Sequence, residues 1–140
     1  MLTEEEMYQK ARNLWATLTD EKWRFDLYIE KPIKGYGHHA GGECYLYKRE
    51  TPDSDGEYVF SHSEQGSEYI FIKSKNFEDI EFELAWQMAG DIEWIYLKKI
   101  PHKFKDGIPW QLRRDILLKI FSRCGPDMYE KAKRRWDERK

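Results

Sequence analysis

The hydrophobic period of this chain changes twice, and no other feature constrains its fold as much. Met7, Ala11, Leu14, Trp15 and Leu18 recur at three or four residues, which predicts an amphipathic helix over residues 4–18. Thr3-Glu4-Glu5-Glu6 has the form of a capping box at its start, with Leu2 and Met7 placed to close a hydrophobic staple, and Thr19-Asp20 ends it. From Trp23 the period becomes two: Trp23, Phe25, Leu27 and Ile29 alternate with Arg24, Asp26, Tyr28 and Glu30 until Pro32. Further strands fit Glu43–Arg49, Tyr58–Ser63 and Tyr69–Lys73, separated by the turn-rich TPDSDGE (51–57) and the short hairpin loop EQGS (64–67). Four such strands with short loops predict an antiparallel sheet.

The helical period then returns. Asn76 is a candidate cap for a helix running to about Lys99, with Phe77, Ile80, Leu84, Met88, Ile92 and Ile95 on one face. Ala85, Trp86 and Ala89 widen that face, as expected of a central helix laid across the sheet. Gly90 is either a mild defect or a point where another element comes close. Pro101 breaks the chain, and Pro109 is placed in the first turn of a helix carrying Leu112, Ile116, Leu117, Ile120 and Phe121. Cys124-Gly125-Pro126 stops it, and residues 127–138 form a last, basic helix with Tyr129, Ala132 and Trp136 facing inward. Strands grouped together and helices grouped together give an α+β fold: an N-terminal helix, a four-stranded antiparallel sheet and three C-terminal helices packed on it. A length of 140 residues fits a single domain over 1–140.

Composition narrows the class. Six tryptophans, nine tyrosines and seven phenylalanines argue against disorder and for an aromatic core. No apolar run is long enough to cross a membrane, and the N-terminal MLTEEEMYQK is acidic where a signal peptide is basic. Cys44 and Cys124 lie far apart in sequence, so a cytoplasmic protein with reduced thiols is expected. Charge is divided unevenly: residues 1–97 carry 10 Lys/Arg against 20 Asp/Glu, and residues 98–140 carry 14 against 6. Either the two parts neutralise each other on folding, or they meet charged partners.

GYGHHAGGE (35–43) concentrates glycine and histidine as no other stretch does. Gly35-x-Gly37 is only loosely similar to a phosphate-binding loop, because such loops open a helix and here a strand follows. His38, His39, Cys44 and His62 are the one credible metal set, but adjacent histidines on extended chain point to opposite sides and no metal-ligand spacing occurs. A glycine-rich loop between strands without a metal is the preferred expectation, and no cofactor is expected. Ser61 and Ser63 would share one strand face and His62 the other, which does not make a local relay; a polar strand end is expected there. The segment KAKRRWDERK could hold nucleic acid through phosphates and a stacking Trp136, although its acidic neighbours favour a solvated helix face with Trp136 inward. Of Arg113-Arg114, one arginine is a candidate partner for the acidic central helix.

SEQGSEY, the helix FEDIEFELAWQMAGDIEW, the paired arginines of WQLRRDILLKIF and the closing YEKAKRRWDE occur in succession over residues 57–138. In this order they resemble the immunity protein 63 family, antidotes encoded beside toxins in bacterial polymorphic-toxin systems. Gln65, where an arginine is usual, and Ser74-Lys75-Asn76 depart from that pattern. The resemblance implies a cytoplasmic protein that binds and neutralises a cognate toxin domain, a nuclease being one possibility, and catalyses nothing. Acidic and aromatic groups on the connections at one side of the sheet are the candidate toxin-binding residues: Tyr36, Glu43, Asp53, Asp55, Glu57 and Glu64. A small nucleic-acid-binding module using residues 113–140 is the alternative, and a hydrolase built on His62 or a His38/His39 metal site comes third.

Overall fold

The computed structural model describes residues 1–21, 29–30, 43–53, 55–64, 67–100 and 107–139. Helix α1 (Glu4–Leu18) is followed by strands β1 (Ile29–Glu30), β2 (Glu43–Arg49), β3 (Glu57–Glu64) and β4 (Ser67–Ser74). Helices α2 (Phe77–Lys98), α3 (Trp110–Phe121) and α4 (Pro126–Glu138) complete the chain, with a 3-10 turn at Ser122–Cys124. The fold is therefore α+β.

Local chemistry explains the element ends. The Glu6 amide donates to Thr3 Oγ1 at 3.1 Å, and the Thr3 amide donates back to Glu6 Oε1 at 2.9 Å, so the capping box is formed. Asn76 Oδ1 accepts from the Glu78 amide at 3.0 Å and caps α2. Pro109 sits one residue earlier than expected: with ψ 135° it is the extended residue before α3, and Trp110 begins the helix. The helix-opening proline is instead Pro126, in the first turn of α4. Gly125, at φ +91°, turns the chain between α3 and α4 through a region that side-chain-bearing residues rarely enter.

The sheet order is β1-β2-β3-β4. β2–β3 and β3–β4 are antiparallel, but β1 pairs parallel to β2, with Ile29 opposite Cys44. The expectation of a wholly antiparallel sheet is corrected here. The 12 residues 31–42 join two parallel strands, a connection no tight hairpin can make. Most of the expected 23–29 strand, including Trp23 and Phe25, lies outside the described residues. A bulge lies in β4 opposite Phe60/Ser61, where Ile72 and Ile70 are successive partners and Phe71 is the extra residue.

One core joins α1 and α2 to a single sheet face; α3 packs on α2 and α4 on α3, which corrects the expectation that all three C-terminal helices lie on the sheet. Leu46, Tyr58 and Phe60 meet Met7, Ala11 and Trp15 of α1 and Ile80, Leu84, Met88 and Ile92 of α2. The four α2 residues recur every four positions and are wholly buried, each contributing roughly 1.5–3 kcal/mol. Ile95, expected among them, is only half-buried because it lies near the end of the helix. The opposite sheet face is buried along β3 and at Tyr45: Tyr45, Val59, Ser61 and Ser63 alternate with the core residues and exclude solvent. The polar strand end expected at Ser61–Ser63 is thus an interior position. Among the described residues, neither hydroxyl has a hydrogen-bond partner.

Candidate functional site

Tyr36, His38 and His39 lie outside the described residues. Cys44 and His62 face each other across β2 and β3, and His62 stacks on Phe71 with its ring 13° from parallel. Among the described residues, no three His, Cys, Asp or Glu side chains are grouped to hold a metal ion. Burial pushes the Cys124 thiol up to about 11, as fits a small apolar packing residue. Among the described residues, no helix is long and apolar enough to cross a membrane.

The C-terminal arginines are largely engaged within the molecule. Arg135 makes a forked contact with buried Glu83 of α2, at 2.5 and 3.2 Å, and its guanidinium lies 4.6 Å from the Trp86 ring centroid. Arg113 binds buried Glu93 at 2.6 Å, Arg114 binds Asp137 at 3.0 Å, and Arg123 binds Asp20 at 2.9 Å. One arginine of the Arg113-Arg114 pair therefore does meet the central helix. Trp136 is 1% exposed, with the tilted ring of Trp110 covering it at 4.2 Å, so its ring is not presented for base stacking. The groove between α2 and α4 keeps Phe82, Lys131, Arg134 and Glu138 along its walls.

Of the six candidate partner residues, the five whose backbone is described do not gather in one place. Glu57 opens β3 and Glu64 closes it, about 23 Å apart at ~3.3 Å per residue. Glu43 is opposite Ser63, at the Glu64 end, where Glu64 is exposed beside the hairpin. Asp53, Asp55 and Glu57 are together at the other end, and each is already engaged. Asp53 accepts from Lys75 Nζ, Thr51 Oγ1 and the Asp55 amide; Asp55 reaches the same lysine at 3.4 Å. Glu57 holds Arg49 across the strands at 2.7 Å. The Lys75 ammonium, with the Thr51 and Asp55 donors, keeps the Asp53 carboxyl well below the usual carboxylate range.

Tertiary contacts add residues to that end which no local pattern singles out. Tyr58 Oη accepts from the Leu2 amide at 2.7 Å, and its ring meets Phe77 edge-on at 5.1 Å. Lys10 pairs with Glu81 at 3.7 Å and Glu21 with Lys99 at 3.5 Å, so α1 and α2 run side by side in the same direction. Their first turns, Glu4-Glu5-Glu6 and Glu78-Asp79, therefore flank the 50–57 connection. Asp79 accepts from Ser74 Oγ at 2.8 Å, next to Lys75, whose ammonium binds Asp53 of the connection. With Glu50, Asp53, Asp55 and Glu57 they form an acidic pole, compensated in part, among the described residues, by Arg49, Lys75, Lys10 and the N-terminal ammonium. Each helix favours carboxylates in its first turn through its dipole, which explains them individually; their meeting is a property of the fold. The sequence signal was the acidic first turn of each helix, but not that the two turns are neighbours.

Comparison with models of known families, with curated proteins and with solved structures finds no match to this chain.

Proposed function

We propose that the chain is an immunity protein: it binds a basic toxin domain encoded by a neighbouring gene and neutralises it by direct contact. The observation that carries this is the acidic pole, where two helix N-termini and the 50–57 connection bring their carboxylates to one end of the molecule. Such a field draws a basic surface in and orients it before contact. It suits a nuclease domain, whose substrate groove carries positive charge. The succession of motifs over residues 57–138 supports the same conclusion. Several C-terminal arginines are held by carboxylates of the same chain, which weighs against a nucleic-acid module at residues 113–140.

The test is co-purification with the neighbouring gene product, followed by association kinetics. Reversing Asp53, Asp55 and Glu57 together would also break their pairs with Lys75 and Arg49. A cleaner variant joins Glu50→Lys and Glu78→Lys, both at exposed positions. It should slow association about tenfold while the fold is kept, with the melting midpoint only slightly lowered because Glu78→Lys opposes the α2 dipole. A partner that is captured at the wild-type rate by this variant, or no capture of the neighbouring product at all, would overturn the proposal.

A further inference from the structure

β4 is the last strand of the sheet, and among the described residues no strand pairs with its outer edge. It is eight residues long, contains no proline and carries Tyr69-Ile70-Phe71-Ile72 at its centre, with Tyr69 67% exposed. An edge of this length and composition is a template for another strand.

The pattern of β4 also specifies which strand. Its partners on β3 place Glu68, Ile70 and Lys73 on one face, beside Ser63, Ser61 and Val59. Ser67, Tyr69, Ile72 and Ser74 lie on the face of the core, together with the extra residue Phe71. In a regular strand residues 68 and 73 would point to opposite faces. The bulge at Phe71 restores them to the same face, each two positions from Ile70 when Phe71 and Ile72 count as one. The edge is therefore self-complementary.

We propose that the outer edge of β4 pairs antiparallel with the same edge of a second copy of the chain, about a two-fold axis at Ile70. Glu68 then faces Lys73 of the other copy on both sides of the axis, and Tyr69 faces its Phe71–Ile72 pair. Ser67 faces Ser74, and the four-stranded sheets join into one of eight strands.

Sedimentation equilibrium of the full chain over about 1–500 µM should show a monomer–dimer equilibrium. Lys73→Glu, at an exposed position, sets carboxylates opposite each other twice and should raise the dissociation constant about tenfold. Combining it with Glu68→Lys should bring the constant back towards the wild-type value. Because Glu68 also accepts from Tyr47 Oη at 2.5 Å, circular dichroism accompanies each variant. If the double variant does not fold, Tyr69→Lys gives a second reading, since it removes an exposed ring from the pairing and should also weaken the dimer. A chain that stays monomeric throughout that range overturns the inference. So does a dimer that neither Lys73→Glu nor Tyr69→Lys weakens.

Discussion

At the scale of single residues, Trp86 does two jobs. Its ring contacts Phe82 and Phe121 at 6.4 and 6.2 Å and also receives the guanidinium of Arg135. Trp86→Ala should cost about 3–5 kcal/mol, read as a lower denaturation midpoint with little change in slope. Asp53 offers a pH test. Its carboxyl is held below its ordinary value of 3.8 by Lys75, so its contribution is present above that pH and is lost as pH falls further. The gap in melting temperature between wild type and Asp53→Asn should therefore stay constant above about pH 5 and narrow as the pH falls from about 4 towards about 2. A constant gap would show that the carboxylate's charge has no part in holding the 51–55 turn to Lys75. Gly90 needs no close neighbour: among the described residues, nothing lies within 4 Å of the position a Cβ would take, which leaves the mild helix defect.

At the scale of elements, α2 organises the molecule through two buried carboxylates as much as through its apolar face. Glu83 and Glu93, on a helix that otherwise buries Ile80, Leu84, Met88 and Ile92, receive Arg135 of α4 and Arg113 of α3. A buried charge without its partner is costly, so these two pairs fix where the last two helices dock. Arg135→Ala leaves the Glu83 carboxylate with the Gln87 amide but without its cation, removes the stack on Trp86, and should destabilise by about 2–4 kcal/mol. Replacing Glu83 by Gln together with Arg135→Ala should recover part of that loss in urea titrations. If the double variant is no more stable than the single one, the cost lies in the lost stacking contact. Helix and strand spans were legible because they depend on neighbours in sequence: Thr3 and Glu6 are one turn apart, and Asn76 caps the residue two positions on. The pairing of Glu83 with Arg135 was not, since 52 residues separate them and several other cations were equally available.

At the scale of the whole molecule, charge separation along the chain becomes charge placement in space. Part of the basic C-terminal segment is neutralised against α2 and the end of α1, whereas the acidic first turns of α1 and α2 stay at one pole. A partner drawn by that pole should associate about tenfold more slowly when ionic strength rises from about 0.05 to 0.5 M, with a smaller effect on dissociation. Equal loss in both rates would point to an interface away from the pole. Of the six residues proposed from sequence, Asp53, Asp55 and Glu57 belong to it, Glu64 lies at the far end of the same strand, and the side chains of Tyr36 and Glu43 fall outside the described residues. The connections were recognisable by their turn residues, but the end of the sheet each occupies follows from strand direction.

The amino-acid sequence by itself determined the helices, strands β2 to β4 and the α+β class. Caps, prolines, Gly125 and the alternation of apolar residues act over a few positions and carry their information locally. Only the tertiary structure decided that β1 runs parallel to β2, that both faces of β3 are buried, and that Phe71 bulges to set Glu68 and Lys73 on one face. It also brought Glu4-Glu5-Glu6 beside Glu78-Asp79, because α1 and α2 pack in the same direction. These outcomes depend on contacts between residues tens of positions apart, whose geometry is set when the whole core closes and which no local pattern encodes.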